Sequence, residues 1–491
     1  MLFNSFQFLV FFPIVLLIYY IIPVKVKKIW LLLCSYYFYM SWNPEYIFLL
    51  LGSTLVTYFV GLLIEKYREK KHYARAILIG GVVVNLGVLF FFKYFSFATS
   101  LFTSFLGLCG MEVTIPSFDI LLPVGISFFT FQALGYTIDV YRKDIYAEKN
   151  FLNYALFVSF FPQLVAGPIE RSKNLLKQLS SERKFSIDDF REGIYLMLWG
   201  FFLKIVLADK IAVIVDCVYD APEQYPGCYI VIATILFAFQ IYCDFGAYSI
   251  IAMGTAKTLG IKLMENFNAP YMATSVADFW KRWHISLTSW FRDYVYIPLG
   301  GNRKGKVRKN INKMIVFLLS GLWHGASLSF VVWGGLNGLY QVIGELLTPL
   351  KKKLLLLLRI NENSFGSKLV KGIVTFILID FSWVFFRANS LGAAFEVIKQ
   401  MVSVDNHWVI FDGSLTSCGL NGRNICVLVL ALVVLLISDF LKSKKLEIRF
   451  FIMKQDWWFR IVVLTILVLL IIVLGEWGNI SGDNSFIYFQ F

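Results

Sequence analysis

Two histidines are the side chains of this chain best suited to chemistry. His284 lies in the segment DFWKRWHISLTSWFRDYVYIPLGGNRKGK (278–306), and His324 lies in FLLSGLWHGASLSF. An imidazole exchanges protons near neutral pH, which suits activation of a hydroxyl that attacks an activated acyl group. The same chemistry would also fit a proton-coupled transporter. His72 and His407 fall in a basic loop and a polar loop, where we expect them to be solvated.

The depth of His324 in the membrane favours a functional role. If its helix begins near Ile311, thirteen residues at about 1.5 Å each place the imidazole roughly 20 Å into the bilayer. Ionisable groups at such depth usually face an interior cavity and take part in function. Gly321 and Gly325 would let another helix or a substrate approach the backbone. The alternative is a neutral imidazole that donates one hydrogen bond across a helix interface.

Other polar residues in apolar runs could assist the histidines. Asp244, in QIYCDFGAYS, needs a partner at mid-membrane, and an imidazole or Arg292 would serve. Asp139, Glu170 and Asp380 lie in similar surroundings, although such groups more often form paired locks inside helix bundles. No G-x-S-x-G elbow, H-E-x-x-H motif or P-loop occurs, which argues against a serine hydrolase, a zinc hydrolase and an ATP-driven pump. We expect no metal site.

Composition places these residues in a membrane protein. Of the 491 residues, 58% are hydrophobic and only 16% are charged, whereas a soluble domain is about a quarter charged. Many apolar runs approach or reach the length of roughly 18 residues that is typical of a membrane-spanning helix. We therefore expect an all-α polytopic membrane protein with a single transmembrane domain over residues 1–491.

The basic residues indicate the orientation of the apolar runs. Lysines and arginines cluster in short loops, which is the pattern of cytoplasmic loops, so the net charge of +14 does not predict a nucleic-acid partner. If these loops lie in the cytoplasm, about a dozen helices cross the membrane in alternating directions, and both termini lie outside. The first run precedes its basic residues and lacks a cleavage site, so we expect a retained span rather than a signal peptide. The predicted spans are 5–22, 29–41, 45–64, 77–95, 119–140, 190–214, 229–253, 311–326, 328–347, 369–388, 424–441 and 458–475.

One apolar segment, residues 151–173, is interrupted by Pro162, Gly167 and Pro168. Irregular backbone at membrane depth is tolerated only where protein or a water-filled cavity covers it. This segment therefore predicts a re-entrant piece beside an internal cavity.

The segment around His284 predicts one amphipathic interfacial helix. Ser275 and Asp278 form a variant of the helix-start capping box, and Pro298 ends the helical pattern. At helical spacing His284 shares one face with Trp280, Leu287 and Phe291. Because a lipid-facing stripe would not favour a central histidine, we expect this face to contact protein, with a helix lying on lipid headgroups as the alternative.

Seven cysteines without C-x-x-C spacing give little sign of redox or metal chemistry. Cys217 and Cys228 flank a short loop that we place outside. They form either a disulfide or two free thiols.

Taken together, five segments in this order resemble the membrane-bound O-acyltransferase superfamily, in particular its bacterial alginate O-acetyltransferase-like branch. The closing residues FIYFQF (486–491) are similar to that branch as well. The segments are LLPVGISFFTFQALGYTIDVYR (121–142), FFPQLVAGPIERSKNLLKQL (160–179), residues 241–301, GLWHGASLSFVVWGGLNG (321–338) and FSWVFFRA (381–388).

The resemblance implies a ring of about 11–12 tilted helices around a central funnel or tunnel, with core motifs in 119–388 and additional C-terminal helices in 424–475. It implies that an acyl thioester, either acetyl-CoA or an acyl carrier, arrives from the cytoplasm as substrate, with no bound cofactor. It also implies an extracytoplasmic SGNH/esterase-like partner that handles the acyl group, a polysaccharide acceptor, and a location in the cell membrane among lipids.

The resemblance also assigns roles to residues. His324 would be the catalytic base, and His284 would shape the donor entrance or polarise the thioester. The tunnel would be supported by Asp244, Asn268, Trp280, Trp283, Arg292 and Trp323, of which Asp244 or Asn268 would hold an imidazole tautomer. A donor-side basic loop would contact coenzyme A phosphates or an acidic carrier protein, or would only fix topology; it comprises Arg303, Lys304, Lys306 and Arg308.

Two alternative functions stay open. A sibling branch transfers D-alanine toward teichoic acid, but its members tend to be shorter, so the C-terminal helices in 424–475 favour the alginate-like branch. A polytopic transporter without enzymatic activity would also place polar residues in the membrane. It would be expected to contain inverted repeats, and none is evident in the sequence.

Overall fold

The computed structural model describes residues 1–111, 122–476 and 486–487. These residues form helices and loops without a β-strand, which confirms the predicted all-α class. Six of the described helical stretches are long and apolar enough to cross a membrane, and they are Pro44–Lys66, Lys71–Leu108, Cys228–Thr258, Phe365–Arg387, Gly422–Ser443 and Trp457–Leu474. The helices at the predicted spans 5–22 and 29–41 have 16 and 17 residues. The full number of crossings, and their arrangement as a ring, stay predictions.

The helices alternate with short loops along the chain. The first eleven are α1 (Phe6–Ile21), α2 (Val24–Met40), α3 (Ile47–Lys66), α4 (Lys71–Leu89), α5 (Phe95–Leu108), α6 (Ile126–Tyr141), α7 (Phe151–Ser159), α8 (Ser172–Ser180), α9 (Ile187–Phe201), α10 (Asp209–Asp220) and α11 (Cys228–Thr258). The predicted span 119–140 begins in residues 119–121, which lie outside the described residues.

The remaining helices follow the same pattern. They are α12 (Val276–Arg282), α13 (Ile285–Phe291), α14 (Gly305–His324), α15 (Leu328–Leu346), α16 (Thr348–Leu357), α17 (Phe365–Arg387), α18 (Leu391–Met401), α19 (Gly422–Ser443), α20 (Ile448–Met453) and α21 (Trp457–Leu474). Short π-helical turns occupy Phe90–Tyr94, Phe202–Ala208 and Arg292–Tyr296.

The chain divides into two compact units. The first comprises Met1–Met197 and Ile251–Met264, and the second comprises Leu198–Ile250 and Glu265–Phe491. Both candidate histidines belong to the second unit. The expectation of a single transmembrane domain over residues 1–491 stays a prediction.

The first unit contains the predicted interruption in 151–173. Helix α7 ends at Ser159, irregular backbone follows, and α8 begins at Ser172. Side chains bind backbone groups in this buried region. Gln132 Nε2 donates to the Phe157 carbonyl in the last turn of α7 at 2.6 Å, and the Phe161 N–H of the irregular backbone donates to Ser35 Oγ at 3.1 Å. Protein therefore covers the irregular segment, as its backbone polarity requires.

Two acidic residues of the first unit hold chain segments together. Asp139 accepts a hydrogen bond from Ser172 Oγ at 2.7 Å. Glu170 accepts from Asn174 Nδ2 at 2.9 Å and from the backbone N–H of Met264. These contacts agree with the structural alternative considered for both carboxylates.

Glycines allow α14 and α15 to cross closely in the second unit. A Cβ atom at Gly321 would lie 2.2 Å from the Phe330 carbonyl oxygen, and one at Gly334 would lie 2.3 Å from the Phe317 carbonyl oxygen. Any larger residue at these two positions would have to separate the helices. The crossing fixes the end of α14, where His324 lies.

Candidate active site

The segment that carries His284 forms two helices instead of the single helix predicted from its pattern. Ser275 caps α12, with its side chain accepting from the Asp278 N–H at 3.1 Å, so the predicted helix start is confirmed. The prediction of a continuous helix is wrong, because α12 ends at Arg282 and α13 begins at Ile285. His284 stands at the break, with φ 42° and ψ 55°. This left-handed conformation is unfavourable for residues other than glycine, so contacts must hold it.

Asn266 makes hydrogen bonds that stabilise the turn between α12 and α13. Its backbone carbonyl accepts from the Ile285 N–H at 3.0 Å, and its Oδ1 accepts from the Ser286 N–H at 3.2 Å. Its Nδ2 donates to Ser249 Oγ at 3.0 Å. Asn266 is thus bound both to the start of α13 and to α11, and it orients the turn that carries His284.

Burial of the segment around His284 agrees with the predicted protein-facing stripe. Trp280, His284, Leu287 and Phe291 are all buried in the protein. The prediction that this stripe contacts protein is therefore confirmed, even though the helix is interrupted.

His324 is the last residue of α14 and lies among aromatic rings. Its ring centroid is 5.0 Å from that of Trp333 on α15 and 5.3 Å from that of Phe386 on α17. Gly325 follows with an extended backbone, and a Cβ atom there would meet the Phe330 ring at 2.0 Å. The turn after His324 consequently requires a glycine.

The two imidazoles lie close together in this aromatic enclosure. Their ring centroids are 6.2 Å apart, which places the ring nitrogens beyond direct hydrogen-bond distance. Trp323 lies beside both rings, at 5.8 Å from His284 and 5.0 Å from His324, and Phe245 contacts His284 at 4.7 Å. Only 1% of His284 and 4% of His324 is exposed. The sequence positions are forty residues apart, and the fold brings them to one site.

Burial also sets the charge of one imidazole. His284 lies outside the six candidate membrane spans, and burial lowers its pKa from 6.5 to about 3. Its imidazole is therefore neutral around pH 7, with one ring nitrogen that can donate a hydrogen bond and one that can accept a hydrogen bond.

Tryptophans form the wall behind the histidines. Trp283 packs on Trp383 with centroids 5.1 Å apart, and Trp383 stacks on Trp333 at 5.6 Å. Trp280 Nε1 donates to Asn337 Oδ1 at 3.3 Å. Trp280, Trp283 and Trp323 thus lie near the histidines, while their predicted role in supporting a tunnel stays a prediction.

Asn337 was not singled out in the sequence. It is buried in α15, and its Nδ2 donates to the Trp333 carbonyl at 2.9 Å and to Ser382 Oγ at 3.2 Å. The sequence contained an indication of this role, because an amide inside the apolar run VVWGGLNGLY needs hydrogen-bond partners in a helix interface.

Asp244 has partners other than those expected. Lys204 Nζ donates to its Oδ1 at 2.6 Å and lies 2.9 Å from Asp209 Oδ1; Lys204 and Asp244 are buried, and 9% of the Asp209 side chain is exposed. The Ile487 N–H donates to Asp244 Oδ2 at 2.6 Å, while Phe486 lies against the Lys204 ammonium at 4.4 Å. The expected pairing of Asp244 with an imidazole or Arg292 was wrong, because Lys204 occupies that position. Of the closing segment 486–491, only these two residues are described.

Two other predicted supporting residues lie at the surface. The Asn268 side chain is exposed, and its backbone N–H donates to the Arg282 carbonyl at 2.9 Å. The amide that orients the His284 turn is Asn266, two residues earlier. Arg292 is bound to its neighbour Asp293 at 2.8 Å, with 63% of its side chain exposed.

The basic residues predicted to form a loop lie only partly outside the helix that ends at His324: Arg303 and Lys304 precede α14, whereas Lys306 and Arg308 lie in its first turn. Arg303, Lys304, Lys306 and Arg308 are all exposed. Further along α14, Lys309 and Lys313 each bind Glu345 at 2.5 Å. The four exposed side chains are therefore accessible to an anionic ligand, while their role stays a prediction.

The two cysteines considered for a disulfide are free thiols. Neither Cys217 nor Cys228 is bonded to another cysteine.

Comparison with known proteins shows which sequences this chain is similar to. The model of the membrane-bound O-acyltransferase family matches residues 147–357. A probable alginate O-acetylase of Pseudomonas aeruginosa is 37% identical over 88% of this chain and 80% of its own length. The corresponding protein of Pseudomonas putida is 34% identical over 99% of both chains. A peptidoglycan O-acetyltransferase of Helicobacter pylori is 33% identical over 87% of this chain and 81% of its own length.

Proposed function

The chain belongs to the membrane-bound O-acyltransferase family and is a membrane O-acetyltransferase; on that premise we propose that it moves acetyl groups from a cytoplasmic thioester across the membrane for O-acetylation of an extracytoplasmic polysaccharide. Relatives that act on alginate and on peptidoglycan leave two acceptor classes, an alginate-like exopolysaccharide and a cell-wall glycan. The donor is acetyl-CoA or an acetylated carrier protein.

The observation that carries the proposal is the pair of buried imidazoles, with ring centroids 6.2 Å apart. A reacting group between them would be close to two imidazoles and shielded from water. His324 takes the proton from the acceptor hydroxyl as general base. His284 polarises the thioester or shapes the entrance for it. Trp283, Trp323 and Trp280 exclude water, so that hydrolysis of the thioester is suppressed.

The transfer step needs only these groups. The hydroxyl oxygen attacks the thioester carbonyl carbon, a C–O bond forms, and the C–S bond breaks. The hydroxyl proton passes to His324, and the departing sulfur takes up one proton to leave as a thiol. His324 thereby returns to its neutral form.

Opposite ends of α14 suit the two substrates. The exposed basic residues lie just before α14 and in its first turn, and His324 is its last residue, so the rest of the helix separates the basic residues from the imidazole by about 24–30 Å. The basic side chains would bind coenzyme A phosphates or an acidic carrier protein on the cytoplasmic side. The thioester would then reach the histidines on a long flexible arm.

The proposal also includes a location and a partner protein. We place the protein in the cell (inner) membrane as a multi-pass protein in contact with lipid, with the basic loops inside. An SGNH/esterase-like protein on the outer side would complete delivery to the polymer.

The experiment compares three single variants of the purified chain in detergent. Acetyl transfer from a thioester to a model hydroxyl compound is measured for His324→Ala, His284→Ala and the control His407→Ala. His407 is a matched control because it is an exposed histidine beside Asp405. We expect His324→Ala to lose about 10²–10⁴-fold in rate, as removal of a general base does, with the control unaffected. Transfer at the wild-type rate by His324→Ala would refute its role as base.

Two readouts separate the alternatives. The mass of the transferred group distinguishes acetyl from D-alanyl transfer. Flux of donor across liposomes without any product ester would favour the non-enzymatic transporter.

A further inference from the structure

Two cysteines of the second unit, Cys217 and Cys418, are distant in the sequence and neighbours in the fold. Cys217 lies in the last turn of α10, and Cys418 ends the 3-10 turn Ser414–Cys418, which packs against α10. A Cβ atom at Gly419, the residue after Cys418, would lie 3.1 Å from Val213 Cγ1. Because Val213 and Cys217 are four residues apart in a helix, both lie on the face of α10 that this turn covers.

The chemical surroundings of the two thiols agree with this proximity. Only 2% of Cys418 is exposed, whereas Cys217 is half-buried. Burial, followed by the nearby Cys217 thiol, raises the pKa of Cys418 to about 12. Cys217 and, to a smaller extent, Cys418 raise the pKa of the Tyr225 phenol, so that one side chain is influenced by both thiols. A thiolate is disfavoured at Cys418, whereas the sulfur of a neutral disulfide has no such cost.

The turn that carries Cys418 is fixed by its own hydrogen bonds. Glycines with positive φ bound it on both sides, Gly413 at 80° and Gly419 at 97°. Thr416 Oγ1 donates to the Gly413 carbonyl at 2.8 Å, and Ser417 Oγ donates to the Ser414 carbonyl at 2.7 Å. A disulfide strains the native chain least when the two segments that it joins are already in place.

The orientation of the helices places both cysteines on the outer side. Lys257 lies in the last turn of α11, and Lys442 lies in the last turn of α19. Because basic residues mark the cytoplasmic ends of spans, α11 and α19 begin on the outer side. The end of α10, which leads into α11, and the turn before α19 therefore face the exported compartment, where disulfides form and persist. The argument uses the membrane orientation given above and is independent of acyl transfer.

We propose that Cys217 and Cys418 form a disulfide that fastens the end of α10 to the segment before α19. The oxidant is an extracytoplasmic disulfide of a protein or a small molecule. The Cys217 sulfur, which is the more accessible, attacks this oxidant as a thiolate and forms a mixed disulfide, and one thiol leaves. The Cys418 sulfur then loses its proton and displaces the second thiol. The two cysteines lose two electrons and two protons, and the oxidant is reduced to two thiols.

The bond would constrain the part of the chain that carries the candidate active site. The loop that it closes runs from Cys217 to Cys418 and contains both His284 and His324. A disulfide that closes a long loop restricts the unfolded chain more than one that closes a short loop. The disulfide would therefore stabilise the fold around the histidines without contacting them.

Peptide mapping of the full chain tests the bond directly. The chain is taken from membranes without reductant, its thiols are alkylated in denaturant, and its peptides are identified by mass before and after reduction. We expect the peptides of Cys217 and Cys418 to be joined and to become alkylated only after reduction, whereas Cys228 is alkylated at once. Alkylation of Cys217 and Cys418 before reduction, in protein already treated with oxidised glutathione, would overturn the inference. A bond from Cys217 to Cys228 would overturn it as well.

Thermal unfolding of three single variants tests the effect of the bond. Cys228→Ser is a matched control, because Cys228 is also half-buried and lies at the other end of the loop that follows α10. Without reductant, Cys217→Ser and Cys418→Ser should each lower the unfolding temperature by at least about 4 °C, and the control should leave it unchanged. Reduction, verified by alkylation, should lower the wild type to the level of the two variants. A wild type that unfolds at one temperature with and without reductant would refute the bond.

The outcomes are distinct from those that test the proposed function. Joined peptides in a chain that transfers no acetyl group would support the disulfide and refute the function. Intact acetyl transfer by a chain with two free thiols would refute the disulfide and leave the function standing. A membrane-impermeant maleimide should label Cys228 in intact cells. Labelling of Cys228 only after lysis would overturn the inference, because the pair would then face the reducing cytoplasm.

Discussion

Replacement of Asn266 by alanine tests whether the turn at His284 is held by a single side chain. In the wild type, the Asn266 amide bonds the Ser286 N–H and Ser249 Oγ, at 3.2 and 3.0 Å. The alanine variant removes both bonds but keeps the backbone bond from the Ile285 N–H to the Asn266 carbonyl at 3.0 Å. The substitution therefore removes only the side-chain hydrogen bonds of Asn266.

The expected magnitude follows from burial. Ser286 and Ser249 are buried, and each buried polar group that loses its partner costs about 1–3 kcal/mol. We expect Asn266→Ala to lower the free energy of unfolding by about 2–4 kcal/mol. The left-handed conformation of His284 costs about 1–2 kcal/mol. After the loss of two hydrogen bonds, the remaining contacts stabilise this conformation by little more than that cost. A displacement of about 1 Å at the imidazole can lower the rate by up to about 100-fold.

The assay measures acetyl transfer and thermal unfolding for Asn266→Ala beside Asn268→Ala. Asn268 is a matched control because it is the same residue type in the same loop, with an exposed side chain. We expect the control to stay within about 0.5 kcal/mol of the wild type, as surface substitutions usually do, and to retain full activity. If both variants behave alike, or if Asn266→Ala loses stability without losing rate, Asn266 does not orient His284.

Three further results are expected. Gly321→Ala should reduce the amount of folded protein in the membrane, because its Cβ would lie 2.2 Å from a carbonyl oxygen, whereas Gly335→Ala meets only a leucine methyl at 3.6 Å and should accumulate normally. Lys204→Met should lower stability by about 3–5 kcal/mol in thermal unfolding, because it leaves buried carboxylates without their cation; wild-type stability would show that those carboxylates are protonated. His284 should make stability fall as pH drops from 6.5 towards 3, by up to about 1.4 kcal/mol per pH unit, because its folded pKa is about 3 and its unfolded value is 6.5. His284→Asn, which tolerates the same backbone conformation, should flatten that dependence in unfolding measured over this range, and an unchanged profile would contradict the assigned burial effect.

The predictions that succeeded rest on local patterns. Ser275 and Asp278 marked a helix start, and Pro162, Gly167 and Pro168 marked an interruption, because capping and proline chemistry act within a few residues. The hydrophobic stripe through His284 correctly predicted burial, since periodicity reports which face is covered.

The predictions that failed depended on distant parts of the chain. Asn266 lies eighteen residues before His284, and nothing in its local sequence separates it from Asn268. Only the fold decides which of the two amides is buried. Lys204 could not be assigned to Asp244 for the same reason, because forty residues separate them and the apolar surroundings of Lys204 gave no indication of a partner. The break at His284 was hidden because a left-handed residue is imposed by tertiary contacts and leaves the helical spacing on either side nearly intact.

The close crossing of α14 and α15 has a consequence for biogenesis. The first half of α14 carries Lys306, Arg308, Lys309 and Lys313, and neither helix is among the six that could enter a membrane by length and composition alone. Glu345, near the end of α15, binds two of those lysines. We expect α14 to wait at the translocon until α15 has been synthesised, and the two helices to integrate together as a hairpin with their charges already paired. The position of His324 would then be fixed only after α15 has been synthesised.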